Sequence, residues 1–357
     1  MSSSTDKVDF SVRPNKNVER KLIFEAISEI GRDFRIDKYK YVGLGSIWFI
    51  DFVMAHKRLS IDEMVSMEND PKTYIRADFN KPFSCIEIDD KLSSDALSEI
   101  DFDERPVLAW MDYDSDIAGP FFEDFDILCR EAQSGSVILA TMNAHPNHFL
   151  DPKANPRSVL DQVESILSGD QDADQKVEAI AERIEDHGDR HQQRMDGLED
   201  EINGDLIPFG LEPADLSVSN TPSVISDILT NAIEENLQQY DRDARYVDLF
   251  NFSYRDGAPM VTIGGMIADD EDRTKLEEST VWEMEYVSQD GEQTEIDLPN
   301  LTLKEKNQLD KMLPELKESD ITESFVENRL NFELSEEEII SYIKYYKQYP
   351  NFMETKR

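Results

Sequence analysis

Two glycines and a glutamate near the start of the sequence have the types and spacing of a nucleotide-binding unit. Gly43 and Gly45 interrupt an apolar run that begins at Tyr39, and Glu68 ends the next apolar run. Glycines let backbone N–H groups approach a ligand closely, and the N-terminus of the helix that follows favours anionic groups. An acid about 20 residues further on suits ribose hydroxyls. The pattern predicts a nucleotide-type cofactor site at Gly43, Gly45, Ser46 and Glu68; the alternative is an ordinary βαβ crossover whose glycines only serve a tight turn.

Further polar side chains follow the next three predicted strands. The strands expected over residues 83–88, 106–111 and 136–142 alternate with helical segments, which is typical of a parallel sheet covered by helices. Ligands bind beyond the carboxyl ends of the strands in such sheets. One shared site is therefore predicted for the residues at the strand ends, which are Gly43, Glu68, Asp89, Asp112 and Asn143. Asp90, Tyr113 and Asp114 follow directly after two of these ends.

Basic residues are concentrated in the helix predicted after residue 12 and in the segment that follows it. Arg13, Lys16 and Arg20 precede the first glycine turn. One hypothesis is that they bind an anionic substrate near that turn. The alternative is that all three are solvated and pair with nearby acids.

The remaining sequence predicts an interrupted core with a long C-terminal extension. A Thr-Pro start at residue 221 opens an apolar helix, and Asp256-Gly257 is typical of a hairpin turn between two strands. Another strand is predicted over residues 281–287, and Thr302 with Glu305 and Ser335 with Glu338 have the spacing of capping boxes. The predicted organisation is a disordered segment at 1–12, a Rossmann-like core at 13–150, a projecting acidic helical insertion at 151–220, the last core helix and antiparallel strands at 221–290, and a helical extension at 291–357.

Composition limits the classes of function. The 357 residues carry a net charge of -40, with 77 acids and 37 bases. Because the acids are spread over every segment, the charge indicates a protein of a high-salt cytoplasm, and it argues against broad nucleic-acid binding, which needs many cationic contacts. The sequence contains no apolar stretch of about 18 residues, the length that would predict a membrane span. His187 and His191 are four residues apart, but no third metal ligand is evident, so no metal site is predicted there.

Several runs of the sequence resemble a known family. The order of strands and helices resembles the class I S-adenosylmethionine-dependent methyltransferase fold, in which a mostly parallel, doubly wound sheet ends in an antiparallel hairpin. The runs YVGLGSIWFIDF, NKPFSCIEI, VLAWMDYDSD and RPNKNVER are similar to those of a microbial family described as O-methyltransferases.

The resemblance implies S-adenosylmethionine as the cofactor and an oxygen nucleophile as the methyl acceptor. It implies that the first glycines contact the methionine end, that Glu68 holds the ribose, and that Asp89 or Asp90 lies near the adenine amino group. The residues after the fourth and fifth strands would be catalytic, with Asp112 or Asp114 taking the acceptor proton. A Mg²⁺ ion on Asp112, Asp114 and Asn143 is a variant of this hypothesis.

Two departures from the family pattern support other readings. Tyr41 stands where the methyltransferase family usually has an acid, and Ile47 and Trp48 stand where a third glycine is usual. Crowding by these side chains would favour a catalytically silent subunit that senses a nucleotide or holds other proteins. A nucleic-acid-processing enzyme is the third alternative. The acceptor, the oligomeric state and any partner protein do not follow from the sequence.

Overall fold

A computed structural model of the chain describes residues 13–113, 115, 117, 119–150, 165–168, 176–177, 190–288, 291–322, 325–326, 329–330 and 332–350. The predicted disorder at 1–12 and most of the first part of the acidic insertion lie outside these residues.

The described residues form one eight-stranded sheet with the order β3-β2-β1-β4-β5-β7-β6-β8. Only β7 runs against its neighbours β5 and β6, and the other pairs are parallel. The predicted mostly parallel sheet with a terminal antiparallel hairpin is therefore confirmed. The strands are β1 Lys40–Leu44, β2 Met64–Met67, β3 Ile86–Asp89, β4 Val107–Asp112, β5 Val137–Asn143, β6 Arg245–Arg255, β7 Pro259–Ala268 and β8 Thr294–Ile296.

Helices cover both faces of the sheet, which makes the fold doubly wound. The first three helices and the C-terminal segment pack on one face, and the fourth to seventh helices pack on the other. The main α-helices are α1 Pro14–Ile30, α2 Ile50–Leu59, α3 Pro71–Asn80, α4 Ser93–Glu99, α5 Phe121–Glu131, α6 Arg190–Glu201, α7 Thr221–Gln239, α8 Asp270–Glu277, α9 Leu303–Asp310 and α10 Glu336–Tyr345.

One predicted strand is wrong. Residues 281–287 begin with the 3₁₀ helix Thr280–Glu283, because the Ser279 side chain accepts the Val281 N–H and caps a helical turn. The Trp282 indole N–H also donates to the Leu276 carbonyl oxygen at 2.6 Å. The eighth strand comes later, at Thr294–Ile296, and pairs with β6.

The later segments are integrated into the core. Both predicted capping boxes form, at the starts of α9 and α10. Ile339 and Tyr342 of α10 are fully buried in the same core as α1 and α2. The described end of the acidic insertion does not project, since Met195 and Leu198 of α6 are buried in the second core. Among the described helices, none is long and apolar enough to cross a membrane.

Candidate active site

A cavity of about 360 Å³ opens at the carboxyl ends of β1, β2 and β4. Four of the residues singled out in the sequence line it, namely Gly45, Glu68, Asp112 and Tyr113. The parallel pairing of β1 with both β2 and β4 places these strand ends side by side. A cavity therefore lies at the edge of the sheet where the shared site is predicted.

Gly45 lets the turn after β1 lie directly against the end of β2. Its N–H donates to the Met67 carbonyl oxygen at 2.5 Å. A Cβ atom at this position would lie 2.6 Å from the Glu68 Cβ and 2.7 Å from the Met67 oxygen, too close for any other residue without a shift of the backbone. Gly43 has a different role: it lies within β1, and its Cβ would meet the Trp110 carbonyl oxygen at 3.2 Å.

The residues expected to crowd the turn lie away from the cavity. The Trp48 side chain is 41% exposed, and neither Ile47 nor Trp48 lines the cavity. The Ser46 hydroxyl oxygen accepts the Trp48 N–H at 3.2 Å, which fixes the turn instead of contacting the cavity. Phe49, the residue before α2, has a left-handed backbone (φ 50°) and packs its ring on Phe52. The structure therefore removes the argument for a blocked site.

The acids after β2 and β3 are held by local hydrogen bonds. A Glu68 carboxylate oxygen accepts the Asp70 N–H at 3.0 Å, and the Glu68 N–H donates to the Asp89 carbonyl oxygen at 2.8 Å. The Asp89 carboxylate accepts the Lys91 N–H at 3.0 Å and lies 3.5 Å from the Lys91 ammonium. Asp89 and the exposed Asp90 do not line the cavity, whereas Lys91 does.

Two basic residues of α1 hold Asp112 in place. The Lys16 ammonium lies 3.1 Å from Asp112 Oδ1, and Arg20 Nη2 lies 3.8 Å from Oδ2. Arg20 also contacts the Asp51 carboxylate at 2.5 Å. The Lys16 and Arg20 side chains are only 3% and 4% exposed, so the expectation of solvated side chains is wrong for both. Their predicted contact with a substrate remains a prediction, as does that of Arg13, which precedes the first turn of α1.

The hairpin between β6 and β7 fixes the start of α1. The Asp256 carboxylate accepts hydrogen bonds from the N–H groups of Asn15 and Lys16 at 3.2 and 2.8 Å. It therefore caps the helix from a distant part of the chain. Carboxylates are favoured at helix N-termini because they satisfy orphan N–H groups and complement the helix dipole. Pro14 occupies the first helical position, where its lack of an N–H costs nothing.

A buried polar cluster continues from Asp112 beneath α1. Glu19 is fully buried 3.3 Å from the Lys16 ammonium, and it accepts the Thr262 hydroxyl. Burial raises the pKa of Glu19, an effect that Lys16 opposes. Thr141 lies within hydrogen-bond distance of the Thr262 hydroxyl at 2.7 Å and of the Lys16 ammonium at 3.3 Å. Glu19 was not predicted from the sequence, although Lys16, Glu19 and Arg20 share one helix face by their spacing.

Tyr113 points away from Asp112, as the alternation along an extended segment predicts. Its hydroxyl donates to the Asp124 carboxylate of α5 at 2.7 Å. Asp124 is fully buried, and burial raises its pKa to about 6. Tyr113 thus ties the floor of the cavity to α5. Asp114 lies outside the described residues, so its predicted role is untested.

The Asp124 carboxyl group gives a measurable pH effect. Its pKa in the folded protein lies above the ordinary value, so the protonated form stabilises the fold; this contribution is full below about pH 4 and is lost as the pH rises through about 6. Asp124→Asn should remove it. We expect the unfolding free energy of the wild type minus that of Asp124→Asn to fall between pH 4 and about 7, as the pH passes through the folded-state pKa of about 6, and to stay constant above that range. A difference independent of pH from 4 to 7 would contradict this assignment.

Asn143, one of the predicted Mg²⁺ ligands, is held by a local hydrogen bond away from the cavity. The Asn143 side-chain oxygen accepts the His145 N–H at 3.0 Å, and the residue does not line the cavity. Asp112 already contacts two cationic side chains. Among the described residues, no group of three or more His, Cys, Asp or Glu side chains could hold a metal ion. His187, one of the paired histidines, lies outside the described residues.

Comparison with known proteins decides the family. The profile of a family described as "Putative O-methyltransferase" matches residues 8–357. The chain belongs to this family. No curated protein sequence matches the chain significantly.

Solved structures similar to this member of the O-methyltransferase family include two methyltransferases. Trm1 from Pyrococcus horikoshii, in complex with S-adenosyl-L-methionine, is 13% identical; the match covers 74% of this chain and 58% of that chain, with a TM-score of 0.39. Geranyl diphosphate C-methyltransferase from Streptomyces coelicolor A3(2) is 11% identical; the match covers 65% of this chain and 73% of that chain, with a TM-score of 0.30. Both likenesses are too distant to carry a functional argument.

Proposed function

We propose that this member of the O-methyltransferase family binds S-adenosylmethionine in the cavity at the strand ends and transfers its methyl group to an oxygen nucleophile. The observation that carries the proposal is the convergence of Gly45, Glu68 and Asp112, from the ends of three strands, on one cavity. An ordinary βαβ crossover needs the glycine but neither carboxylate. The family membership supports the same reaction class.

The residues present fit the cofactor. A cavity of about 360 Å³ lies within the range of about 300–1,000 Å³ that is usual for ligand pockets. Gly45 leaves backbone exposed beside the methionine end, and the Glu68 carboxylate suits the ribose hydroxyls. Lys91, Leu92 and Ser93 line the part of the cavity after β3, where the adenine would lie. When bound, S-adenosylmethionine supplies an electrophilic methyl group.

Asp112 is the proposed acceptor of the proton that leaves the substrate hydroxyl. Its side chain is 30% exposed at the cavity, while Lys16 and Arg20 fix it from below. A carboxylate held in this way is positioned before the substrate arrives, and positioning supplies much of the catalysis in an in-line transfer. In this proposal the lysine and arginine act through Asp112 as positioning residues.

Replacing Glu68 tests the cofactor assignment. Glu68→Ala should weaken S-adenosylmethionine binding about tenfold to a hundredfold, since a charge-assisted hydrogen bond is worth about 1.5–3 kcal/mol. Calorimetry in molar salt gives the affinity. Glu87→Ala is the matched control, because Glu87 is exposed on the neighbouring strand β3 and does not line the cavity. Equal affinities for wild type and a folded Glu68→Ala protein would remove Glu68 from the site.

A further inference from the structure

We infer that the methyl acceptor is a small anion whose carboxylate or phosphate group binds beyond Asp112 on the same edge of the sheet, at a basic patch formed by His145, His148, Arg194 and Arg255. The inference rests on the proposed function, because it names the class of acceptor that this site would take. The patch is unexpected in a chain whose net charge is -40.

Strand order places the patch next to the cavity along the same edge of the sheet. Asp112 ends β4, and His145 follows the end of the adjacent strand β5. The Ala144 N–H donates to the Pro259 carbonyl oxygen at 2.9 Å, and Pro259 pairs with Arg255 in the β6–β7 hairpin. Asp112 pairs with Thr141, so the patch lies one to three strands across the sheet from Asp112 and a few residues further along it. At about 4.8 Å between strands and about 3.3 Å per residue along them, the separation is on the order of 15 Å. A small acceptor can span this distance.

Arg194 supplies a buried positive charge whose hydrogen-bond acceptors, among the residues that the structure describes, are neutral. The side chain is 7% exposed, and its Nη1 and Nη2 atoms donate to the Leu216 carbonyl oxygen at 2.7 Å and the Asn147 side-chain oxygen at 2.8 Å. Both acceptors are neutral, and within the described part of the chain no carboxylate lies within ion-pair distance of this guanidinium. Burial lowers the pKa of Arg194. Buried charges are normally paired, so a bound anion would complete this site.

His145 lies near the guanidinium groups of Arg194 and Arg255 and near a second imidazole, that of His148. Its Nδ1 accepts the Asn147 N–H at 3.1 Å, which leaves Nε2 as the hydrogen-bond donor of the neutral ring. Burial lowers the pKa of His145, and the nearby His148, Arg194 and Arg255 lower it further. These groups therefore repel further positive charge, and an oxyanion would relieve that repulsion.

Arg255 is the member of the patch best placed to contact the ligand directly. It is exposed and lines a second cavity of about 650 Å³, together with Ser219 and Tyr254. Glu295 and Asp297 line the side of this cavity formed by β8, further from β5. These exposed acids would repel a long polyanion such as a nucleic acid, so the arrangement favours a small ligand with one oxyanion group.

Two simple anions test the inference on the full chain. Calorimetry with inorganic phosphate and with acetate, at constant ionic strength, should detect binding of at least one. Arg255→Ala should weaken it roughly tenfold or more, as expected for loss of a charge-assisted contact. Arg273→Ala is the control, because Arg273 pairs with Asp270 on α8, and it should bind like the wild type.

The outcomes separate the ligand classes and the two proposals. Binding of phosphate alone supports a phosphorylated acceptor, and binding of acetate alone supports a carboxylate. No binding of either anion, or equal binding by Arg255→Ala, overturns the inference. Titration of the same proteins with S-adenosylmethionine shows which proposal has failed: cofactor binding without anion binding leaves the proposed function standing, whereas anion binding without cofactor binding removes that function and the acceptor role of the patch.

Discussion

Replacing Lys16 by methionine should lower the free energy of unfolding by about 3–5 kcal/mol, the range found when one partner of a buried ion pair is removed. The Lys16 ammonium lies within 3.3 Å of both Glu19 and Asp112, and the Glu19 side chain is fully buried. Without the ammonium, Glu19 must either remain as a buried charge or take up a proton. Both outcomes destabilise the fold near neutral pH.

Urea unfolding is the suitable measurement for Lys16→Met, because guanidinium is a salt and would screen the large negative charge. Lys57→Met is the control, since Lys57 is exposed on α2 and surface substitutions usually change stability by less than about 0.5 kcal/mol. Adding Glu19→Gln to Lys16→Met should recover part of the loss. A loss no larger than that of Lys57→Met would show that the cluster beneath Asp112 does not stabilise the protein as described.

Replacing Gly45 by alanine should weaken S-adenosylmethionine binding by about a hundredfold, on the order of the effect of a 1 Å misplacement in an active site. The added Cβ would lie 2.6 Å from the Glu68 Cβ, so the turn must move away from the end of β2. That movement displaces both the exposed backbone and the ribose-binding carboxylate. The effect should therefore exceed that of removing the Glu68 carboxylate alone.

Gly204→Ala is the matched control for the glycine substitution, because no atom lies within 4 Å of a Cβ placed at Gly204. Circular dichroism shows whether each variant keeps its fold, and calorimetry gives the cofactor affinity. If Gly45→Ala folds and binds the cofactor as the wild type does, the turn after β1 does not form the methionine end of the site.

The sheet and part of the cavity were predictable because they depend on local patterns. Apolar runs alternating with helical periodicity specify the strands of a parallel sheet, and a glycine turn or an acid at a strand end specifies its ligand-binding edge. Gly45, Glu68 and Asp112 were found in this way. The prediction of a strand over residues 281–287 was wrong because it followed the apolar pattern and not the capping signal of Ser279, which starts a 3₁₀ turn there.

The surroundings of Asp112 were not predictable, because they depend on contacts between distant parts of the chain. Lys16 and Arg20 appear in the sequence as charges on a basic segment, and nothing local shows that Asp112 lies over them. The cap that fixes α1 comes from Asp256, about 240 residues away. Likewise, its position at the end of β3 indicated Asp89. The backbone turn instead brings Lys91 to the cavity, and the Asp89 carboxylate accepts the Lys91 N–H.

A crystal structure of the protein with S-adenosylmethionine would test the central claim most directly. We expect the ribose hydroxyls within hydrogen-bond distance of the Glu68 carboxylate, the methionine end against Gly45, and the transferable methyl group facing Asp112. Cofactor bound elsewhere would contradict the account, for example in the cavity of about 390 Å³ that Leu22, Tyr286 and Ile343 line between α1 and the C-terminal segment. So would crystals that stay free of the cofactor at saturating concentration.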